Sequence, residues 1–422
     1  MAITLCALVA VLDGFDTFSI SFVAPVIAKE WGVDRSQFGP IFSSALVGLL
    51  IGALTLGAAA DKFGRRKIII ASTIAFGIFA FLTGFSESTN QLLLFRFLTG
   101  LGLGGAIPNI IALTTEYSPT RIKTLTVVIM FSGFPLGGLL GGILSANLIM
   151  SYGWQSVFFF GGVAPMILAI VLIAKLPESI PYLVGKQGQH DRVVRSLRLI
   201  SPDAGVDKST TFSLPTAETG GSGPAIGQLF ADNRTVGTLM LWVLFYCNLL
   251  MFYFLGQWLP TVLSDAGLPI RLAIIAAVLL NAGSVSGGVV VGWLVDRYGP
   301  YRVLPLSYLA AAAATASIGI ASQNLYAVGT AVFFAGMFVG GGQLIANALA
   351  SNFYPATVRS TGVAWAVGWS RIGAICGPLL AGWLIAKKLG YDRLFVIAAI
   401  PALIASAAVF YMGKMSSVRP SD

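Results

Sequence analysis

The chain has 422 residues, of which 56% are hydrophobic and only 10% charged. A soluble domain carries about 25% charged residues, so this composition excludes one and indicates a polytopic membrane protein. The net charge of +9 does not call for a nucleic-acid partner, because lysine and arginine in membrane loops account for it more simply.

A helix needs roughly 20 apolar residues to cross a bilayer. Twelve segments meet that need, at 3–27, 38–60, 67–86, 90–115, 124–150, 154–176, 235–263, 271–295, 302–322, 325–350, 360–386 and 391–413. The first is too long and too acidic for a cleaved leader. It carries Asp13 and Asp16, three residues apart and so on one helix face. An ionised side chain at that depth is costly and marks a functional site by default.

The longest polar interval, Pro177 to Arg234, divides the spans six and six. Within it, Asp191 to Ile200 reads as a short basic amphipathic helix, and Pro215 to Pro224 as a flexible linker rich in small and polar residues. The expected organisation is an N-terminal six-helix bundle (1–176), a cytoplasmic central loop (177–234) and a C-terminal six-helix bundle (235–422). Of the 26 lysines and arginines, 18 fall in segments on the side of the two termini and 6 on the other side. By the positive-inside rule both termini are cytoplasmic; the expected location is a bacterial-type inner membrane. The remaining two, Arg96 and Arg371, lie within spans.

The halves repeat each other. Gly57-x3-Asp61-Lys62-Phe63-Gly64-Arg65-Arg66 recurs at a shift of 235 as Gly292-x3-Asp296-Arg297-Tyr298-Gly299. Gly102, Gly104 and Asn109 recur at a shift of 238 as Gly340, Gly342 and Asn347. Tyr117-Ser118-Pro119-Thr120-Arg121 resembles the stretch from Tyr354 to Arg359. Such repeats relate two bundles by an axis along the membrane normal, with a substrate site between them near mid-depth. The intramembrane charges break the repeat. Asp13 aligns with Asn248, Asp16 with Met251, Arg96 with Phe334 and Arg371 with Gly133. They are additions to the scaffold rather than parts of it.

Cys6, Cys247 and Cys376 lie in apolar segments without metal-ligand spacing. The single histidine, His190, is in a polar loop, which excludes a histidine proton relay in the membrane. No phosphate-binding loop, catalytic triad or metal cluster is present, so neither an enzyme nor a cofactor or metal is expected.

The loop from Gly57 to Lys67 and the Pro177-Glu178-Ser179 after span 6 resemble signatures of the major facilitator superfamily. Asp13-Gly14-Phe15-Asp16, the run from Arg96 to Asn109, and Glu116-Tyr117 are similar to the aromatic acid/proton symporter family within it. The resemblance implies an all-α membrane protein with twelve transmembrane helices in two pseudo-symmetric six-helix bundles. It also implies proton-coupled import of a hydroxybenzoate, benzoate or phenylpropionate.

On that reading Asp16 and Asp13 are the candidates for proton coupling. Burial raises a carboxylate's pKa and a nearby cation lowers it, so alternation between such environments loads and releases a proton. The alternative is a fixed ion pair with Arg96, since the resemblance sets spans 1 and 4 side by side. Arg371 has no acid on its own span, and an anionic substrate would relieve its charge. A guanidinium binds a carboxylate through two parallel hydrogen bonds, which suits Arg371, and Arg96 with it. Phe15, Tyr246, Tyr253 and Trp369 are candidates to flank an aromatic ring. Asn109, Gln257 and Asn347 are candidates to meet ring hydroxyls. Gly57, Asp61, Gly64, Arg65, Arg66, Glu116 and Arg121 form a candidate conformational gate, with Asp296, Arg297 and Arg359 as a weaker copy.

The expected partners are an aromatic acid, protons and the lipid bilayer, with the chain a monomer. Two other readings stand beside this one. One is a carrier of another organic anion or a drug exporter on the same scaffold. The other is a substrate sensor that does not transport.

Overall fold

The computed structural model describes residues 1–186, 189–200, 210, 212, 226–231, 234–321, 324–355 and 357–417. Twelve helices within these are long and apolar enough to cross a membrane. They are α1 (Ala2–Trp31), α2 (Arg35–Phe63), α3 (Arg65–Thr83), α4 (Thr89–Glu116), α5 (Leu125–Tyr152) and α6 (Gln155–Lys175). After the central interval come α7 (Thr235–Asp265), α8 (Ile270–Tyr298), α9 (Pro300–Ile320), α10 (Leu325–Phe353), α11 (Arg359–Ala386) and α12 (Tyr391–Met415). The chain is a multi-pass membrane protein. An even number of spans returns both chain ends to one side of the bilayer, the terminal side; the opposite side is the far side. The amphipathic helix expected from residue 191 is present as His190–Ile200, while the Pro215–Pro224 linker lies outside the described residues.

Local chemistry sets the ends. Ser88 caps α4 by accepting the Gln91 N–H, and Asn324 caps α10 by accepting the N–H groups of Tyr326 and Ala327. The α2–α3 turn is made by Gly64 at φ 96° and the α8–α9 turn by Gly299 at φ 82°. Both are left-handed conformations that a side chain disfavours, so the repeated loop keeps its glycine for a backbone reason. Ala53–Gly57 forms one π-helical turn within α2, directly before the Gly57-x3-Asp61 loop. Such turns often mark functional positions in helices.

The chain forms two compact units: Met1–Asp16, Val47–Gly137 and Phe158–Thr219 in one, and Thr17–Leu46, Gly138–Val157 and Gly220–Asp422 in the other. Their boundaries fall inside α1, α2, α5 and α6. In the first unit, Leu5, Cys6 and Val9 of α1 share a core with Ile69, Ile110, Leu113, Met130 and Leu172. Gly14, between the two aspartates, lies against the Phe134 carbonyl, where any Cβ would collide. Small residues allow such backbone approach in lipid, where packing rather than hydrophobicity holds helices together.

In the second unit α8 packs along α10, α9 along α12, and α7 along both α11 and α12. Segments from before the central interval join the same unit at the far side. Phe42 sits edge-on to Trp258 at 5.1 Å, the Ser43 hydroxyl donates to Ile375 O at 2.8 Å, and Trp258 Nε1 donates to Pro378 O at 3.0 Å. Arg35 pairs with Asp265 at 2.6 Å.

Candidate functional site

In the first unit α1 and α4 bring Asp16 and Arg96 together. Arg96 Nη1 meets Asp16 Oδ1 at 2.9 Å, and Nη2 donates to the Asp16 backbone carbonyl at 3.0 Å. Arg96 is fully buried and Asp16 is 1% exposed. Two charges taken out of water this completely persist only when paired and hydrogen-bonded, and losing one partner leaves the other as an uncompensated charge. Asp13 is buried one turn toward the terminal side. Asn109 is buried and spends its amide N–H on Gly105 O of its own helix at 2.8 Å. Phe15 turns to α6, edge-on to Phe160 at 5.5 Å and against Gly161.

In the second unit Arg371 lies midway along α11 and is half-buried. Among the described residues it takes no ion pair. Gly368, one turn earlier on the same face, has nothing within 4 Å of where its Cβ would lie. Arg371 thus lies on a helix face that is open one turn earlier, with no ion pair among the described residues. Trp369 is two positions from Arg371, about 200° around the helix, and so serves another face. It stacks on Trp242 of α7 at 5.6 Å, and Trp365 stacks on the same ring at 6.0 Å. Trp242 carried no signal in the sequence beyond its residue type. Tyr253 is buried against Leu46 and Ala374. The Tyr246 backbone carbonyl lies against Gly373 of α11, and Tyr246 itself is half-buried. Gln257 Nε2 donates to Thr17 O at 3.0 Å. Asn347 is half-buried, and its carbonyl accepts the Ser351 hydroxyl. Asn248, at the repeat position of Asp13, donates to Tyr308 OH and Val339 O, which is a scaffold role.

The loop cluster on the terminal side is tied by Arg65 to Glu116 as a close ion pair. Its hub is Glu178. The Glu178 carboxylate accepts the Arg66 N–H at 2.9 Å and the Ser179 N–H at 3.0 Å, and its carbonyl accepts the Tyr117 hydroxyl at 2.8 Å. Arg66 also donates to Ile173 O. Gly64 leaves room for the Glu178 carboxylate. A cleft of about 330 Å³ opens beside it, lined by Asp61, Lys62, Arg65, Tyr182 and Lys186 among others. Gly57 at the end of the π-helical turn faces Pro108 of α4. Asp61 and Arg121 are exposed and take no ion pair among the described residues. In the second copy, Arg297 lies over the Trp293 and Tyr298 rings rather than on Asp296, and Arg359 donates to Tyr354 O. Sequence reasoning gave Glu178 no role, although its Pro-Glu-Ser setting singled it out.

Twelve spans, the repeated Gly-x3-Asp loop and charged groups held inside the membrane define a secondary-transporter scaffold. The sequence profile of the Major Facilitator Superfamily matches residues 6–328 and 275–421, and the chain belongs to that superfamily. It is 39% identical over 414 residues to the 4-hydroxybenzoate transporter PcaK of Pseudomonas aeruginosa, covering 98% of this chain and 92% of that protein. It is 35% identical over 424 residues to the 3-(3-hydroxy-phenyl)propionate transporter of Escherichia coli, covering 100% and 96%. The narrower resemblance seen in α1 and α4 is thus borne out by relatives along the whole chain. The fold matches the partially occluded inward-open xylose transporter XylE of E. coli, with a TM-score of 0.74, 16% identity, and 99% and 97% of the two chains covered.

Proposed function

We propose that this protein is a proton-coupled symporter that imports an aromatic carboxylate by alternating access. The observation that carries the reading is Arg371, a mid-membrane cation with no ion pair among the described residues and an open face beside it. A substrate carboxylate completes that site through two parallel hydrogen bonds to the guanidinium. The similarity to carriers of 4-hydroxybenzoate and of a hydroxyphenylpropionate supports an aromatic acid as the substrate.

The buried Asp16–Arg96 pair supplies the coupling. Protonating Asp16 neutralises the acid and frees Arg96 to answer the substrate anion; releasing the proton restores the pair. Asp13, one turn away, is the second acid of the relay. Tyr246 and Tyr253 of α7 flank the path of the ring. The loop cluster around Arg65, Glu116 and Glu178 holds the terminal side in one state and parts in the other.

In this reading the protein is a monomer of two six-helix halves, 1–176 and 235–422, in a bacterial inner membrane. Both termini are cytoplasmic, in keeping with 18 of the 26 lysines and arginines on their side. The test is uptake of labelled 4-hydroxybenzoate into proteoliposomes with and without an inward acid gradient. Accumulation that needs the gradient supports the reading. Substrate entry that ignores the gradient removes the proton, and no entry of any aromatic acid removes the substrate class.

A further inference from the structure

The second unit holds one aromatic ring in an unusual frame. Phe18 of α1 is buried and lies edge-on to Phe252 at 6.0 Å. Two of its borders have no side chain. A Cβ on Gly256 of α7 would fall 2.7 Å from Phe18 Cε1, and a Cβ on Gly138 of α5 would fall 2.7 Å from Phe18 Cδ2. The ring therefore fills a notch of ring size cut into two helices. The rim of that notch is polar, though Phe18 offers it nothing. Asn281 Oδ1 lies 2.8 Å from the same Cβ position on Gly138. Gln257 donates to the carbonyl of Thr17, the residue before Phe18.

Both amides are at most 2% exposed, and both have their N–H group committed to a backbone carbonyl, Gln257 to Thr17 O and Asn281 to Ala277 O. Turning either amide over would set oxygen against oxygen, so the orientation is fixed. Their carbonyl oxygens, Gln257 Oε1 and Asn281 Oδ1, have no hydrogen-bond partner among the described residues. A buried acceptor without a donor is unfavourable, and these two can accept only. They repel a carboxylate and suit an O–H donor carried on a flat ring.

We propose that the notch around Phe18 receives the hydroxyl-bearing end of the substrate ring when Phe18 swings out, and that Gln257 and Asn281 set the preference for hydroxylated over plain aromatic acids. This rests on the reading of the chain as an aromatic-acid carrier. A site built to hydrogen-bond a substrate hydroxyl discriminates strongly against the analogue that lacks it, because its buried polar groups are then left unpaired.

The experiment compares initial uptake of 4-hydroxybenzoate and benzoate in proteoliposomes of the full chain and of Gln257→Met and Asn281→Leu, near-isosteric changes that delete the acceptor together with the N–H bonds to Thr17 O and Ala277 O, so that the ratio of the two substrates, rather than either rate, is read. The ratio of hydroxybenzoate to benzoate uptake should fall about tenfold in each variant, the effect of one lost hydrogen bond to a buried acceptor. If Asn281→Leu does not fold, Asn281→Ala, which only removes atoms, reads the same ratio. An unchanged ratio, or a parallel loss of both substrates, overturns the assignment of these two amides while leaving the carrier reading intact. A parent protein that takes up neither acid overturns the carrier reading and this inference with it.

Discussion

Arg96 grips Asp16 twice, through the carboxylate at 2.9 Å and through the backbone carbonyl at 3.0 Å. The backbone contact does not depend on the charge of the Asp16 carboxylate. That separates two effects by mutation. Asp16→Asn keeps the shape and the carbonyl contact, and should leave a folded protein that exchanges substrate across the membrane yet no longer concentrates it with an acid gradient. Arg96→Met leaves a buried carboxylate without its cation and should cost about 3–5 kcal/mol of stability. Thermal unfolding in detergent, alongside counterflow and gradient-driven uptake, checks both. Gradient-driven accumulation by Asp16→Asn would place the coupled proton elsewhere.

Arg371 should behave in the opposite way. It has no ion pair to lose among the described residues, so Arg371→Ala should unfold within about 0.5 kcal/mol of the parent, as surface-like substitutions do. Binding should suffer instead. A charge-assisted pair is worth about 1.5–3 kcal/mol, so the Kd for the aromatic acid should rise about 10- to 100-fold. Arg371→Lys should recover little, because an ammonium does not present two parallel donors. Titration of the purified protein with 4-hydroxybenzoate measures this directly; an unchanged Kd would remove Arg371 from the site.

The twelve spans were legible because bilayer thickness fixes their length and each is apolar over that length. The expected 90–115 and 235–263 became Thr89–Glu116 and Thr235–Asp265. Side-chain direction was not legible in the same way. α1 and α4 are apolar nearly all round, so no stripe of polar residues fixes their rotation. Phe15 accordingly packs on Phe160, where the sequence suggested a substrate ring, and Asn109 uses its amide on its own helix. The intramembrane charges stood out because the repeat lacks them, whereas the Arg35–Asp265 pair did not, since ionic residues at helix ends are common and carry no pairing signal.

Glu178 draws its importance from backbone groups. It accepts the N–H of Arg66 in the first turn of α3 and the N–H of Ser179, while Tyr117 holds its carbonyl. Glu178→Ala leaves those donors unanswered and should loosen the loop that contains Arg65 and Arg66. Each lost hydrogen bond to a charged group is worth about 1.5–3 kcal/mol, so the open form of the loop should rise at least tenfold. Limited trypsin digestion at Arg65 and Arg66 should speed up accordingly, with α3 itself still folded. Glu178→Gln, which keeps a carbonyl oxygen in place, should fall between. Equal digestion of all three proteins would show that the loop is held by the Arg65–Glu116 pair alone.

On the far side, Arg35 at the start of α2 pairs with Asp265 at the end of α7. The Asp34 carboxylate beside it accepts both the hydroxyl and the N–H of Ser36, which pulls its pKa below the ordinary carboxylate value and braces the turn that carries Arg35. Opening the far side of α2 away from α7 and α11 requires breaking the Arg35–Asp265 pair and the Ser43 contact with Ile375. Asp265→Asn should therefore raise the reactivity of a cysteine placed at Ser43, in a protein whose three native cysteines are replaced. An increase of about threefold to tenfold corresponds to the loss of a partly exposed pair worth about 1 kcal/mol. Reversing both charges, Arg35→Asp with Asp265→Arg, should bring reactivity back toward the parent. A reversal that labels as fast as the single variant would mean that the two charges are neighbours without acting as a latch.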